Sequence, residues 1–175
     1  MTGTTVHIPT LETDRLILRA NRLADLDAFA EFCASPRADM RGGRRNRLEA
    51  FHALAAEVGH WALHGYGWWA IEEKATGAYA GQAGLYYPDG WPEAEIGWLV
   101  FEGFEGKGIA FEAALRVRRF AFEDLGWTRL TSCIRPANSR SIALAERMGA
   151  VFERDDMIAG EVPCKVFVHP RPEAA

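Results

Sequence analysis

Residues 95–126 leave the chain little choice of fold. A strand-like run, Glu95 to Val100, enters a Gly-rich turn, Glu102-Gly103-Phe104-Glu105-Gly106-Lys107-Gly108, and leaves it as a helix. Ala110, Ala113, Ala114, Val117, Phe120 and Ala121 mark one apolar helix face, and Gly126 ends it. On the opposite face Glu112 precedes Arg116 by four residues and Arg119 precedes Glu123 by four, the spacing of ion pairs on a water-facing surface. The first N–H groups of a helix have no partners within it and lie at the positive end of its dipole, and glycines let an anion approach the backbone. The junction therefore reads as an anion seat, with a pyrophosphate as its natural guest.

Two common phosphate loops are excluded residue by residue. A Walker A loop would need glycine at 101 and Ser or Thr at 108, where this chain has Phe101 and Gly108. A dinucleotide fingerprint begun at Gly106 would need a third glycine at Phe111. What remains is the pattern (Gln/Arg)-x-x-Gly-x-(Gly/Ala), represented by Glu105-Gly106-Lys107-Gly108-Ile109-Ala110. Its first position is acidic here, which disfavours a neighbouring phosphate unless the carboxylate turns away; Lys107 and Arg140 are the candidate opposing charges.

The remaining periodicities build outward from that junction. Arg15–Arg19 reads as a strand, Leu23–Ala34 as a helix stopped by Pro36, and Arg47–Leu63 as a second helix with Leu48, Phe51, Leu54 and Val58 on its apolar face. Trp68–Glu72, Tyr79–Tyr86 and Ala94–Val100 form three sequential antiparallel strands across turn signals. Thr128–Ile134 follows the long helix as a strand parallel to its neighbour at Ala94. Asn138–Met148 is a helix capped by Asn138 and closed by Gly149, and Val151–Glu153 and Val162–Val168 are final strands. A mixed sheet with helices on its faces is the architecture this order implies.

With 175 residues, 49% hydrophobic and 25% charged, the chain reads as one domain over 1–175 that buries a core without disulfides or a structural metal. A net charge of -4 argues against a general binder of nucleic acid or anionic membrane. Cys33, Cys133 and Cys164 form no CxxC pair and read as reduced thiols. No apolar run reaches membrane-spanning length and Met1–Thr5 lacks leader features, so a cytoplasmic protein is expected. His60 and His64 are spaced to share a metal, but Trp61 stands where a zincin has glutamate, and no metal is expected.

The basic segment Arg37, Arg41, Arg44, Arg45, Arg47 is either a solvated loop or a lip of the binding site favouring an acidic acceptor. RNA binding there would lack aromatic interleaving and a reading helix. Trp68, Trp69, Tyr86, Tyr87 and Trp91 are either core or an aromatic wall for an acceptor. The tail Pro170–Ala175 is expected to fray. The edge strand Val162–Val168 leaves monomer and homodimer both open.

The turn, together with Leu11-Glu12-Thr13-Asp14-Arg15-Leu16-Ile17-Leu18-Arg19, Glu95-Ile96-Gly97-Trp98-Leu99, Asn138-Ser139-Arg140-Ser141 and Glu146-Arg147-Met148-Gly149, resembles the GNAT acyl-CoA N-acetyltransferases, in the branch similar to RimJ and RimL. The resemblance implies an α/β fold with a central, mixed, mostly antiparallel twisted sheet of about six to seven strands flanked by about four helices. It implies acetyl-CoA as co-substrate and no metal. Gly106, Lys107, Gly108, Ile109 and Ala110 would hold the pyrophosphate, Trp98, Leu99 and Val100 the pantetheine arm, and Asn138 and Ser141 the arm or its thiol. The acceptor would be a primary amine, on a small molecule or a protein N-terminus.

For the chemistry, Glu95 is the candidate base and a backbone N–H at Trp98–Leu99 the oxyanion donor. Many relatives place a tyrosine acid at the position of Ala145, and Ser141 is the nearest hydroxyl to replace it. The missing tyrosine and Glu105 also fit an alternative, a catalytically weak acyl-CoA-binding regulatory module of the same fold.

Overall fold

The computed structural model describes residues 6–172. Met1–Thr5 and residues 173–175 of the tail expected to fray lie outside the described residues. One sheet runs through the molecule. Its strands are β1 (Leu11–Glu12), β2 (Leu16–Arg19), β3 (Trp68–Glu73), β4 (Tyr79–Tyr86), β5 (Glu95–Val100), β6 (Thr131–Ile134), β7 (Val151–Ile158) and β8 (Val162–Val168), in the order β1-β2-β3-β4-β5-β6-β8-β7. Neighbours are antiparallel except β5 and β6, which are parallel and joined by the crossover helix α3 (Ile109–Arg119). The other helices are α1 (Leu26–Ala34), α2 (Arg47–His64) and α4 (Ser139–Arg147).

Both sheet faces are covered, and the covering residues explain the choice of elements. Against one face α3 presents Ala113, Ala114 and Val117, all fully buried, and their small size brings the helix close to Leu16, Trp69, Ile71, Leu85 and Ile96. Against the other, α1 and α2 pack Phe29, Cys33, Ala50 and Leu54 on Leu99 and Phe101. Beside β6, Ala145 of α4 joins Ile134, Ala150 and Phe167. Two glycines give Trp68 its place: a Cβ on Gly84 would lie 2.4 Å from the Trp68 Cα, and one on Gly97 would lie 2.6 Å from its indole.

Several elements depart from expectation for local reasons. Leu23–Asp25 is a 3₁₀ turn ahead of α1, set by Asp25 accepting the Arg22 N–H at 2.7 Å, and Leu23 is exposed. The inward face of α2 is Ala50, Leu54, Glu57, His60 and Trp61, while Leu48 and Phe51 face outward. Pro36–Arg41 is a 3₁₀ helix rather than a loop. After α3 the helix widens into a π segment, Phe120–Asp124. Pairing in β6 begins only at Thr131, whereas β7 continues to Ile158 as a hairpin with β8. The Arg119–Glu123 pair forms, but Glu112 binds Arg15 and Thr13 instead of Arg116.

Candidate active site

At the parallel pair the sheet opens. Thr131 N–H donates to the Ala94 carbonyl, and Glu95 opposite Thr131 is the only registered pair of β5 with β6 among the described residues. A parallel ladder would continue from the Cys133 N–H to the Ile96 carbonyl. Instead the Cys133 N–H donates to Glu95 Oε2 at 2.8 Å, and the Ser132 hydroxyl serves the Ile96 carbonyl at 2.7 Å. Side chains thus replace the ladder, and beyond them β5 and β6 diverge.

The direction of the β5 amides follows from one bond. Phe101 N–H donates to the Ala80 carbonyl, so alternation along an antiparallel pair turns the backbone groups of Leu99 and Gly97 toward β4. Those of Val100, Trp98 and Ile96 face the opening. Leu99, expected to bind through its backbone, lines the cleft only with its side chain. The Val100 carbonyl already accepts Arg37 Nη2 at 2.7 Å.

The opening continues into a cleft of about 1020 Å³. Gly106, Gly108, Ile109, Ala110, Trp98, Leu99, Val100, Asn138, Ser141 and Glu95 all line it, so nearly all the residues singled out in the sequence meet in one place. Lys107 does not: its ammonium lies over the Phe104 ring at 5.2 Å and it borders an adjoining surface pocket. Gly106 and Gly108 have φ of 72° and 78°, the left-handed region in which a side chain is strained, and Gly108 directly precedes α3. Asn138 caps α4 by accepting the Ser141 N–H at 3.2 Å. Ala145 is fully buried and does not line the cleft.

Glu95 is held at the closed end of the opening. Trp91 Nε1 donates to its Oε1 at 3.0 Å and the Cys133 N–H to its Oε2. Burial raises its pKa to about 7 from 4.5, outweighing the lowering by those two bonds. Burial likewise lifts Cys133, a weaker acid still, so its thiol stays protonated.

The cleft beside Glu95 is aromatic and charged. Trp68, Tyr86 and Trp91 line it, whereas Trp69 lies in the core and Tyr87 is exposed outside it. Arg41 stacks over the Trp68 ring at 4.6 Å and pairs with Glu57 at 2.8 Å. Glu57, buried in α2, also accepts from Gln82 and Asn21. This network was missed in the sequence, although a glutamate three residues from Leu54 and four from Trp61 is a polar break in an apolar face. Arg37 and Arg41 line the cleft, so part of the basic segment is a lip. His60 and His64 do not share a metal through their ring nitrogens: His60 donates from Nδ1 to the Tyr66 carbonyl and accepts the Tyr87 N–H on Nε2, leaving no free nitrogen on that ring. No group of three or more metal-binding side chains occurs among the described residues.

Known proteins share this fold. A family profile described as an acetyltransferase (GNAT) domain matches residues 15–151. The putative ribosomal N-acetyltransferase YdaF of Bacillus subtilis (strain 168) is 39% identical over 61 residues, 35% of this chain and 33% of that protein. Matches to curated relatives span about a third to a half of those relatives' length. Over nearly full length, the crystal structure of an acetyltransferase from Agrobacterium tumefaciens str. C58 superposes with a TM-score of 0.86 at 35% identity, covering 97% of this chain and 99% of that one. The Microcin C7 self immunity acetyltransferase MccE, in complex with acetyl-CoA and AMP, shares the fold at a TM-score of 0.69 and 17% identity over 89% of this chain and 92% of its own. A sheet parted at one parallel pair, a glycine turn leading into the crossover helix, and a profile match across 15–151 have one common explanation: the chain belongs to the GNAT acetyltransferase family.

Proposed function

We propose that this protein is an N-acetyltransferase that moves the acetyl group of acetyl-CoA to a primary amine, carried by a small molecule or a protein N-terminus, in a ternary complex. The observation that carries the reading is Glu95, a carboxylate with a pKa of about 7 at the closed end of a gap edged by the Trp98 backbone and the Val100 N–H. The glycine turn and the N-terminus of α3 suit the pyrophosphate. Trp98 and the Val100 N–H offer the gap-facing edge to the pantetheine arm as an added strand would use it, and Asn138 and Ser141 flank its far side.

In this reading the acceptor enters from the Trp68, Tyr86 and Trp91 end. Glu95 takes a proton from the ammonium, directly or through water, and the neutral nitrogen attacks the thioester carbonyl. Negative charge gathers on the carbonyl oxygen, and the gap-facing Trp98 N–H is the donor that would stabilise it. The C–S bond then breaks, the electron pair leaves with sulfur, and the surplus proton on the attacking nitrogen passes to that sulfur, with the Ser141 hydroxyl as candidate relay, leaving a neutral amide and CoA thiol. A thiol of pKa about 8.5 also leaves adequately as the thiolate. Side-by-side placement of the two substrates supplies much of the rate.

The test is release of CoA thiol from acetyl-CoA in the presence of peptide N-termini, amino acids and simple amines in turn. Amine-dependent release supports the reading and identifies the acceptor class. Acetyl-CoA binding with no release for any amine would favour the regulatory alternative, to which the buried Ala145 lends its one observation.

A further inference from the structure

The phosphate pattern opens at Glu105 with a carboxylate where the acyl-CoA motif carries Gln or Arg. In the structure that charge is answered from elsewhere in the chain. One Glu105 oxygen is paired with Arg37 Nη1, and the other accepts the Gly103 N–H at 3.0 Å. Arg37 comes from the 3₁₀ segment Pro36–Arg41, outside every cofactor motif. Its second nitrogen donates to the Val100 carbonyl. The planar guanidinium is therefore fixed at two points, one on the turn and one on the strand that feeds it, a task its fork suits and a lysine's single ammonium does not.

No other cation among the described residues pairs with Glu105. Arg15 is committed to Glu112 and to the Lys107 carbonyl. Lys107 lies over Phe104, and Arg147 over Phe111 at 4.2 Å. Arg140 pairs with no carboxylate among the described residues, and its charge bears on Arg37. Remove Arg37, and an unopposed carboxylate stands beside a seat whose attraction for phosphate comes from helix N–H groups and glycine backbone.

We propose that Arg37 is a positioning residue for the cofactor: by cancelling Glu105 and pinning it to the strand edge, it lets a turn with an acidic first position accept the acyl-CoA pyrophosphate. The inference rests on the reading of that turn as the acyl-CoA seat. Arg37 and Glu105 then act as a unit, so their effects on binding are not additive.

Calorimetric titration of the full chain with acetyl-CoA tests this, using wild type, Arg37→Ala, Glu105→Gln and the double variant. Arg37→Ala is expected to weaken binding about tenfold, the order of effect of one like charge left several ångströms from a pyrophosphate near the surface. The double variant should stay within about threefold of wild type, because the charge needing cancellation is gone, and Glu105→Gln alone, which leaves the Arg37 cation beside the seat, should bind no more weakly than wild type. The recovery also shows that Arg37→Ala has not merely unfolded the site. A double variant as weak as Arg37→Ala overturns the proposal, as does an Arg37→Ala that binds like wild type. Wild type that takes no acetyl-CoA overturns the reading of the turn itself, a result distinct from either.

Discussion

A carboxylate that accepts two hydrogen bonds ordinarily stays ionised well below pH 7, yet burial at the closed end of the gap outweighs the Trp91 and Cys133 bonds at Glu95. A base poised near neutrality gives up little driving force while remaining available in its charged form, which suits proton abstraction from an ammonium. The expected pH profile of kcat/KM therefore rises with unit slope and levels off above pH 7. Glu95→Gln should lower kcat by about a hundredfold, the lower range for a general base, and abolish that inflection while acetyl-CoA affinity is kept. A variant that retains both rate and inflection removes Glu95 from the mechanism. The acid side is set differently: Ala145 packs against Ile134, Ala150 and Phe167, away from the cleft, and Ser141 lines it.

Strand β5 is where elements and chemistry meet, and its glycine is a packing device. Gly97 has ordinary backbone angles, so an alanine there brings no conformational strain, only a methyl group 2.6 Å from the Trp68 indole. Gly97→Ala should displace that ring, destabilise the fold by about 1–3 kcal/mol as overpacking does, and raise the acceptor KM more than the acetyl-CoA KM, since Trp68 lines the acceptor end. A thermal melt with steady-state kinetics reads both, and an unchanged melting temperature would show that the ring yields freely. The sequence displays β5, the turn and α3 clearly because alternation, glycines and the Ala113–Ala114–Val117 face each have a local cause. It hides the rest where the cause is remote. Arg154, Asp155 and Asp156 lie beyond the expected strand Val151–Glu153 but continue β7, so β7 and not Val162–Val168 is the edge strand, and its charges discourage pairing with another chain. Glu112 sits at the right spacing for Arg116, yet Thr13 and Arg15, nearly a hundred residues away in the chain, claim it. The Arg37–Glu105 and Arg41–Glu57 pairs likewise depend on tertiary placement that no local pattern encodes. Leu48 and Phe51 hold helical spacing, but the inward side of α2 is decided by Glu57 and His60 bonding to β4 and the segment just after it.

Across the whole molecule two titratable groups, one buried and one half-buried, oppose each other in pH dependence. His169 hydrogen-bonds to Ser132 at 2.9 Å, and burial, with Arg118 nearby, depresses its pKa to about 4 from 6.5. Between those values the unfolded chain binds a proton that the native state refuses, so this group alone makes stability rise with pH. Glu95, raised from 4.5 to about 7, does the reverse: the native state keeps a proton the unfolded chain has lost, and stability falls as pH rises. Each spans about 2.5 pH units, or roughly 3 kcal/mol, and over the shared window they nearly cancel. Glu95→Gln removes one side, so its urea midpoint should climb relative to wild type from pH 4.5 to 6.5; parallel curves would mean that Glu95 titrates normally. The parted strands have a further consequence, in hydrogen exchange. The Trp98 and Val100 amides lie in the middle of an eight-stranded sheet but face the gap, so they should exchange with deuterium as edge amides do, while the Gly97 and Leu99 amides, bonded to β4, stay protected. An every-other-residue rhythm along β5, evened out when acetyl-CoA is added, would be the signature of a sheet that keeps a place for one more strand.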